Sequence, residues 1–128
     1  MTRIELCRER LNGWLSGLSA EYSSLDDPRR ELDQLGLASL RTFFALLLAS
    51  RPEPPESPLE AMESASLQNL PLYRRLLSLP LQGSPNDIAM QLRLGAPYGE
   101  LFMLQEMLTD SLDDEGRKIV LALSPSLF

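Results

Sequence analysis

This sequence has 18 Asp and Glu residues, one Cys and no His, so carboxylates are its main candidates for chemistry. Paired carboxylates can bind Mg²⁺ or Ca²⁺, or they can divide the acid and base roles of a hydrolytic reaction. Asp110, Asp113, Asp114 and Glu115 form the densest cluster. We interpret them as helix-capping residues, because acidic side chains stabilise the positive, N-terminal end of a helix. A partner-facing acidic patch and a metal site are the alternatives.

Other catalytic and cofactor sites lack the residues that they need. Without His, Ser-His-Asp and Cys-His catalysis cannot be built in the usual way, and a zinc site lacks ligands. Cys7 lies on the apolar stripe of the first predicted helix, which indicates a buried thiol. Neither "LQGSP" nor "RLGAPYG" has the spacing of a phosphate-binding loop. The sequence therefore predicts no enzyme, no cofactor and no metal.

The bulk properties narrow the class of protein further. A chain of 128 residues is predicted to form a single domain, 1–128. Its formal net charge of −6 disfavours direct binding to nucleic acid or to an anionic membrane. The most apolar run, "FFALLLA", is far shorter than the ~20 residues that span a bilayer, and the charged N-terminus is unlike a signal peptide. We expect a soluble, cytoplasmic protein, and arginine-rich usage indicates a bacterium with a GC-rich genome.

The apolar pattern predicts an all-α fold. Leucine dominates the apolar residues and favours helix, whereas the β-branched residues that favour strands are scarce. Apolar residues at helical spacing from Ile4 to Leu25 predict a first helix. A second helix, from Pro28 to about Ser50, is apolar over roughly 220° of its circumference and should be central. We expect a compact bundle of about five to six helices, in which residues 1–50 form an antiparallel hairpin.

The remainder of the chain is predicted to contain shorter helices. Residues 51–57 are a Pro-rich connection, and residues 58–128 form the C-terminal helices. Ser57 followed by Pro58 is a typical helix start, as is Asp27 before Pro28. Asp113 or Asp114 should cap the last helix.

One helix, from Pro97 to about Leu112, has apolar residues on two sides. Leu101, Phe102, Leu108 and Leu112 form an expected core face close to Tyr98 on a helical wheel, whereas a second apolar group lies opposite. Either this helix is sandwiched within the chain, or its second side binds a partner. Leu127 and Phe128, after the last helix, either fold onto the core or form a second anchor. The predicted partner-binding residues are Met103, Leu104, Met107, Leu127 and Phe128.

An apolar surplus on an acidic helical body predicts a non-enzymatic adaptor or chaperone that binds another protein. In size, acidity and leucine content the chain is similar to the secretion chaperones of bacterial type III systems, without a shared motif. The alternative is a small acidic inhibitor or regulator, of the immunity or anti-activator type, that occupies a basic enzyme or DNA-binding protein. A homodimer and an enzyme that uses carboxylates with a divalent ion are the further hypotheses.

Overall fold

In the computed structural model, the regular structure of the described residues consists of α-helices, without a β-strand. The structure describes the backbone of residues 1–18, 30–65, 70–95 and 98–124, and the side chains of the same ranges apart from 30–37, 94–95 and 98–99. The all-α prediction is confirmed, and the described residues form seven helices, slightly more than the expected five to six. In chain order they are α1 (Arg3–Leu15), α2 (Arg30–Ala49), α3 (Pro58–Glu63), α4 (Pro71–Leu77), α5 (Pro85–Gly95), α6 (Tyr98–Asp110) and α7 (Asp114–Leu123).

The C-terminal half of α2 is the centre of the fold. Five helices, α1, α3, α5, α6 and α7, pack against it. A helix that is surrounded in this way can be apolar over much of its circumference, which agrees with the central position predicted from its sequence. Its fully buried apolar residues are Leu40, Phe43, Phe44, Ala45, Leu46, Leu47, Leu48 and Ala49.

The first two helices run in opposite directions, which confirms the predicted antiparallel arrangement. Arg3, at the start of α1, donates a hydrogen bond of 2.7 Å to the carbonyl of Ala49, at the end of α2. Further along α1, Trp14 packs edge-to-face on Phe44, with ring centroids 5.4 Å apart. Helix α1 ends at Leu15. Tyr22 and Leu25 of the predicted stripe, and the Asp27 start signal, lie outside the described residues.

Local capping residues begin the helices where the sequence predicts them. The side chain of Ser57 accepts a hydrogen bond from the backbone N–H of Glu60 (3.1 Å), and Pro58 occupies the first turn of α3. Asp113 accepts from the N–H of Gly116 at 2.6 Å and caps α7. Side-chain acceptors of this kind satisfy N–H groups that have no partner within the helix. None of the helices in the described ranges has the length and apolar content that a membrane crossing requires.

Candidate partner-binding face on the sixth helix

Three buried leucines of α6, and a fourth that follows its last turn, fix the rotation of this helix about its axis. Leu101, Leu104, Leu108 and Leu112 are all buried, and α6 packs mainly against α2. Their spacing of three and four residues places them on one side of the helix. This side is the core face of α6.

A buried polar contact secures the same orientation. The amide of Gln105, only 4% exposed, donates to both the carbonyl and the hydroxyl oxygen of Ser39 on α2, at 2.7 Å each. Buried polar groups are costly unless they are hydrogen-bonded, so a rotation of α6 that broke these bonds would be unfavourable. Gln105 therefore belongs to the core face and helps to hold α6 in register with α2.

The opposite side of α6 exposes three large apolar side chains. Phe102 is 47% exposed, Met103 is 49% exposed and Met107 is 37% exposed. Glu106 and Asp110 are exposed on the same side. We call these five residues the α6 outer face. Residues three and four apart are neighbours on a helix, so Glu106 lies beside Phe102 and Met103, and Met107 lies beside Met103 and Asp110.

The predicted positions of the apolar residues on α6 are partly right. Met103 and Met107 lie outside the core, as expected. The expectation for Leu104 is wrong, because its side chain is fully buried against the rest of the chain. The core position expected for Phe102 is also wrong, because its side chain is half-exposed. The other three residues of the predicted core face, Leu101, Leu108 and Leu112, are buried as expected, so the core face is displaced from the predicted one by only part of a turn. The predicted anchors Leu127 and Phe128 lie outside the described residues.

The carboxylates of the α6 outer face differ from the one in the first turn of the helix. Glu100 forms an ion pair with Arg75 of the neighbouring helix α4. Glu106 and Asp110 form no ion pair within the described parts of the chain. Their charges are therefore available to a partner.

Two members of the acidic cluster, Asp113 and Glu115, form contacts within the chain. Arg3, whose side chain is only 10% exposed, lies 3.1 Å from Asp113 and 3.2 Å from Glu115. Hydrogen bonds from the Gly116 N–H and from Arg3 lower the pKa of Asp113. Burial alone would lower the pKa of Arg3, but its bonds to Asp113 and Glu115 outweigh this and raise it. These contacts join the starts of α1 and α7 to the end of α2, which supports the helix-capping interpretation.

Cys7 lies in the core, as predicted. Its side chain is fully buried, with Sγ 3.8 Å from the carbonyl oxygen of Leu48. Burial raises the pKa of the Cys7 thiol. A thiol that is neutral and inaccessible is a poor nucleophile.

A shallow groove lies between α1 and the Pro-rich connection. Its volume is about 790 Å³, and its lining includes Arg10 and Arg51 together with Glu53, Glu56 and Glu60. Both signs of charge line it, so its electrostatics favour neither an anion nor a cation. Within the described parts of the chain no group of three Cys, Asp or Glu residues is arranged to hold a metal ion.

One further large apolar side chain is exposed on α7. Leu121 is 50% exposed, and Arg117 and Lys118, one turn earlier, are also exposed. A single exposed leucine is ordinary on a protein surface, whereas three adjacent apolar side chains on one helix are less so.

Comparison of the chain with protein-family models, with curated proteins and with solved structures gave no match. The residues and geometry of the α6 outer face are therefore the basis of the proposed function.

Proposed function

We propose that this protein is a non-enzymatic adaptor or chaperone that buries the α6 outer face against a partner protein. The observation that carries the proposal is the joint exposure of Phe102, Met103 and Met107 on one helix. The buried leucines and Gln105 hold these side chains in place, so they are presented on a rigid support. We further propose that the protein works in the cytoplasm.

Burial of this face would favour association. Removing apolar surface from water contributes about 25 cal/mol per Å². A stable interface buries about 800 Å² on each partner, so three side chains form only its centre, where most of the binding energy is usually concentrated. Methionine suits such a centre, because its unbranched thioether side chain adapts to the shape of the surface that it contacts.

A small acidic inhibitor or regulator is the second candidate function. The observation in its favour is that Glu106 and Asp110 form no ion pair within the described parts of the chain. A complex held mainly by those charges would weaken strongly above physiological salt, because exposed charges are screened there. An adaptor complex held mainly by apolar side chains would retain its affinity.

The experiment compares single glutamate substitutions in a capture assay. Tagged wild-type protein and the Met103→Glu and Met107→Glu variants are incubated with a lysate of the source organism, and captured proteins are identified by mass spectrometry. Leu121→Glu is the matched control, because Leu121 is as exposed as Met103 but lies on α7. Circular dichroism and thermal melting verify that every variant folds.

The proposal predicts a protein that wild type and Leu121→Glu capture at equal yield and that both methionine variants lose. Melting curves should be nearly unchanged, because the substituted side chains are exposed. Equal capture by all four proteins would show that the α6 outer face is not the binding surface. Loss of capture by Leu121→Glu, to the same extent as by the methionine variants, would show the same.

A further inference from the structure

We infer that the α6 outer face binds an amphipathic helix of a different protein, one that carries Lys or Arg beside its apolar residues. This inference rests on the proposed function and specifies the chemistry of the partner. Its evidence is the arrangement of charge around the exposed apolar side chains, together with the hydrogen bonding of the helix backbone within the helix.

Acidic side chains lie among the apolar residues of this face. Glu106 is three or four residues from both Phe102 and Met103, and Asp110 is three residues from Met107. A partner that covers the apolar side chains must therefore approach both carboxylates. Burying a carboxylate without a cation is strongly unfavourable, so the partner needs cations at these positions.

The described residues do not supply those cations. Arg75 pairs with Glu100 in the first turn of α6, whereas Glu106 and Asp110 have no ion-pair partner among the described residues. An apolar centre flanked by uncompensated charge of one sign selects for a partner of the opposite sign.

A helix is the element that fits a helical face. Because the backbone N–H and C=O groups of α6 are bonded within the helix, its outer face offers side chains alone. An extended strand on this face would gain no backbone hydrogen bonds, whereas a second helix satisfies its own and can pack side-chain ridges into grooves.

A second copy of this chain fits less well. In a symmetric contact between two α6 outer faces, each face would bring Glu106 and Asp110 and no cation. The surface of α7 has Arg117 and Lys118, but Leu121 is its one large exposed apolar side chain. Contact with α7 of a second copy would therefore leave much of the apolar group on α6 uncovered.

Two synthetic peptides test the inference. Each is about 18 residues long and forms a helix with a leucine face, flanked by lysines in one peptide and by glutamates in the other. A third peptide has the leucine–lysine composition in a scrambled order without an apolar face. Binding of labelled peptides to the full-length protein is measured by fluorescence anisotropy at about 0.15 M salt.

Three forms of the protein are compared with wild type. The charge-reversed form is Glu106→Lys/Asp110→Lys, and the apolar-depleted form is Met103→Ser/Met107→Ser. The matched control is Arg117→Glu/Lys118→Glu on α7. Sedimentation equilibrium of the pure protein reports self-association.

We expect wild type to bind the leucine–lysine helix at least about tenfold more tightly than the leucine–glutamate helix, and the scrambled peptide weakly. The charge-reversed form should reverse this preference, the apolar-depleted form should lose binding, and the α7 control should not weaken it.

Several results would overturn the inference. Equal binding of both helical peptides, lost in the apolar-depleted form, would contradict the basic partner but leave the proposed function intact. No binding of either helix at about 100 μM would contradict the inference, and the capture assay would still decide the proposed function. Binding that survives in the apolar-depleted form would contradict both. A stable dimer that Glu106→Lys/Asp110→Lys disrupts would identify a second copy as the occupant.

Discussion

The side-chain amide of Gln105 donates two hydrogen bonds, each of 2.7 Å, to the carbonyl and hydroxyl oxygens of Ser39. Both residues are buried, and they join α6 to the central helix α2. This contact, with the buried leucines of α6, determines which side chains of α6 face outward. The candidate binding surface therefore depends on a polar contact in the core.

Removal of the Gln105 amide should destabilise the protein. Gln105→Met keeps a side chain of similar length but deletes both donors, and we expect the free energy of unfolding to fall by about 1–3 kcal/mol. Adding Ser39→Ala removes the hydroxyl that would be left without its donor, so the double variant should recover part of the loss. Urea denaturation measures all three proteins, and a Gln105→Met variant as stable as wild type would show that these bonds do not secure α6.

Two neighbouring residues on α6 should respond very differently to truncation. Leu104 is fully buried, so Leu104→Ala should cost about 2–5 kcal/mol of unfolding free energy. Met103 is half-exposed, so Met103→Ala should change stability by less than about 1 kcal/mol. Chemical denaturation of both variants gives the comparison, and the reverse order would mean that α6 is rotated from the orientation described.

Gly116 and Gly13 differ in the space that a Cβ atom would have, so alanine substitutions at these two positions can be compared directly. A Cβ on Gly116 would lie 2.7 Å from the Ala49 carbonyl oxygen and 2.8 Å from an oxygen of Asp113. Gly116→Ala should therefore displace the start of α7 and cost about 1–3 kcal/mol. A Cβ on Gly13, inside α1, would meet nothing within 4 Å. Gly13→Ala should stabilise the protein by up to about 1 kcal/mol, because Ala favours helix over Gly.

Thermal melting measures both glycine variants under the same conditions. Equal effects of the two substitutions would contradict the close approach of α7 to the end of α2.

Acid should weaken the fold through Asp113. The pKa of Asp113 is lowered in the folded chain from its ordinary 3.8, chiefly by the Gly116 N–H and then by Arg3. A carboxyl with a lowered pKa stabilises the fold fully above its unfolded pKa, and this contribution disappears as pH falls through the folded value. Asp113→Asn keeps an oxygen acceptor for Gly116 but cannot titrate, so its stability should fall less steeply below about pH 5.

Asp114→Asn is the control for this pH dependence. Asp114 lies beside Asp113, and its side chain forms no hydrogen bond or ion pair with the described residues. Denaturation midpoints between about pH 2 and pH 7 should show the wild-type slope for Asp114→Asn. The same slope for Asp113→Asn would mean that the Asp113 contacts contribute little to folding.

Local signals in the sequence predict the helix starts and the central helix. Ser57 and Asp113 cap helices within three residues of themselves, and the apolar residues of α2 indicate a central helix. The rotation of α6 is not predictable in this way, because the partner of Gln105 is 66 residues away in the chain. Periodicity places Leu101, Leu108 and Leu112 on one face correctly, but it does not show that a buried amide belongs to that face when its partner is unknown.

Methionine oxidation tests the central claim most directly, because the chain contains its own controls. In the free protein, peroxide should oxidise Met103 and Met107, and Met1, which is 86% exposed, whereas the fully buried Met62 should react slowly. The measurement is the oxidation rate of each methionine, by mass spectrometry, in the free protein and in the complex with the captured partner. We predict that the complex protects Met103 and Met107 and leaves Met1 unchanged. Oxidation of Met103 and Met107 at the same rate in both states would contradict binding through the α6 outer face.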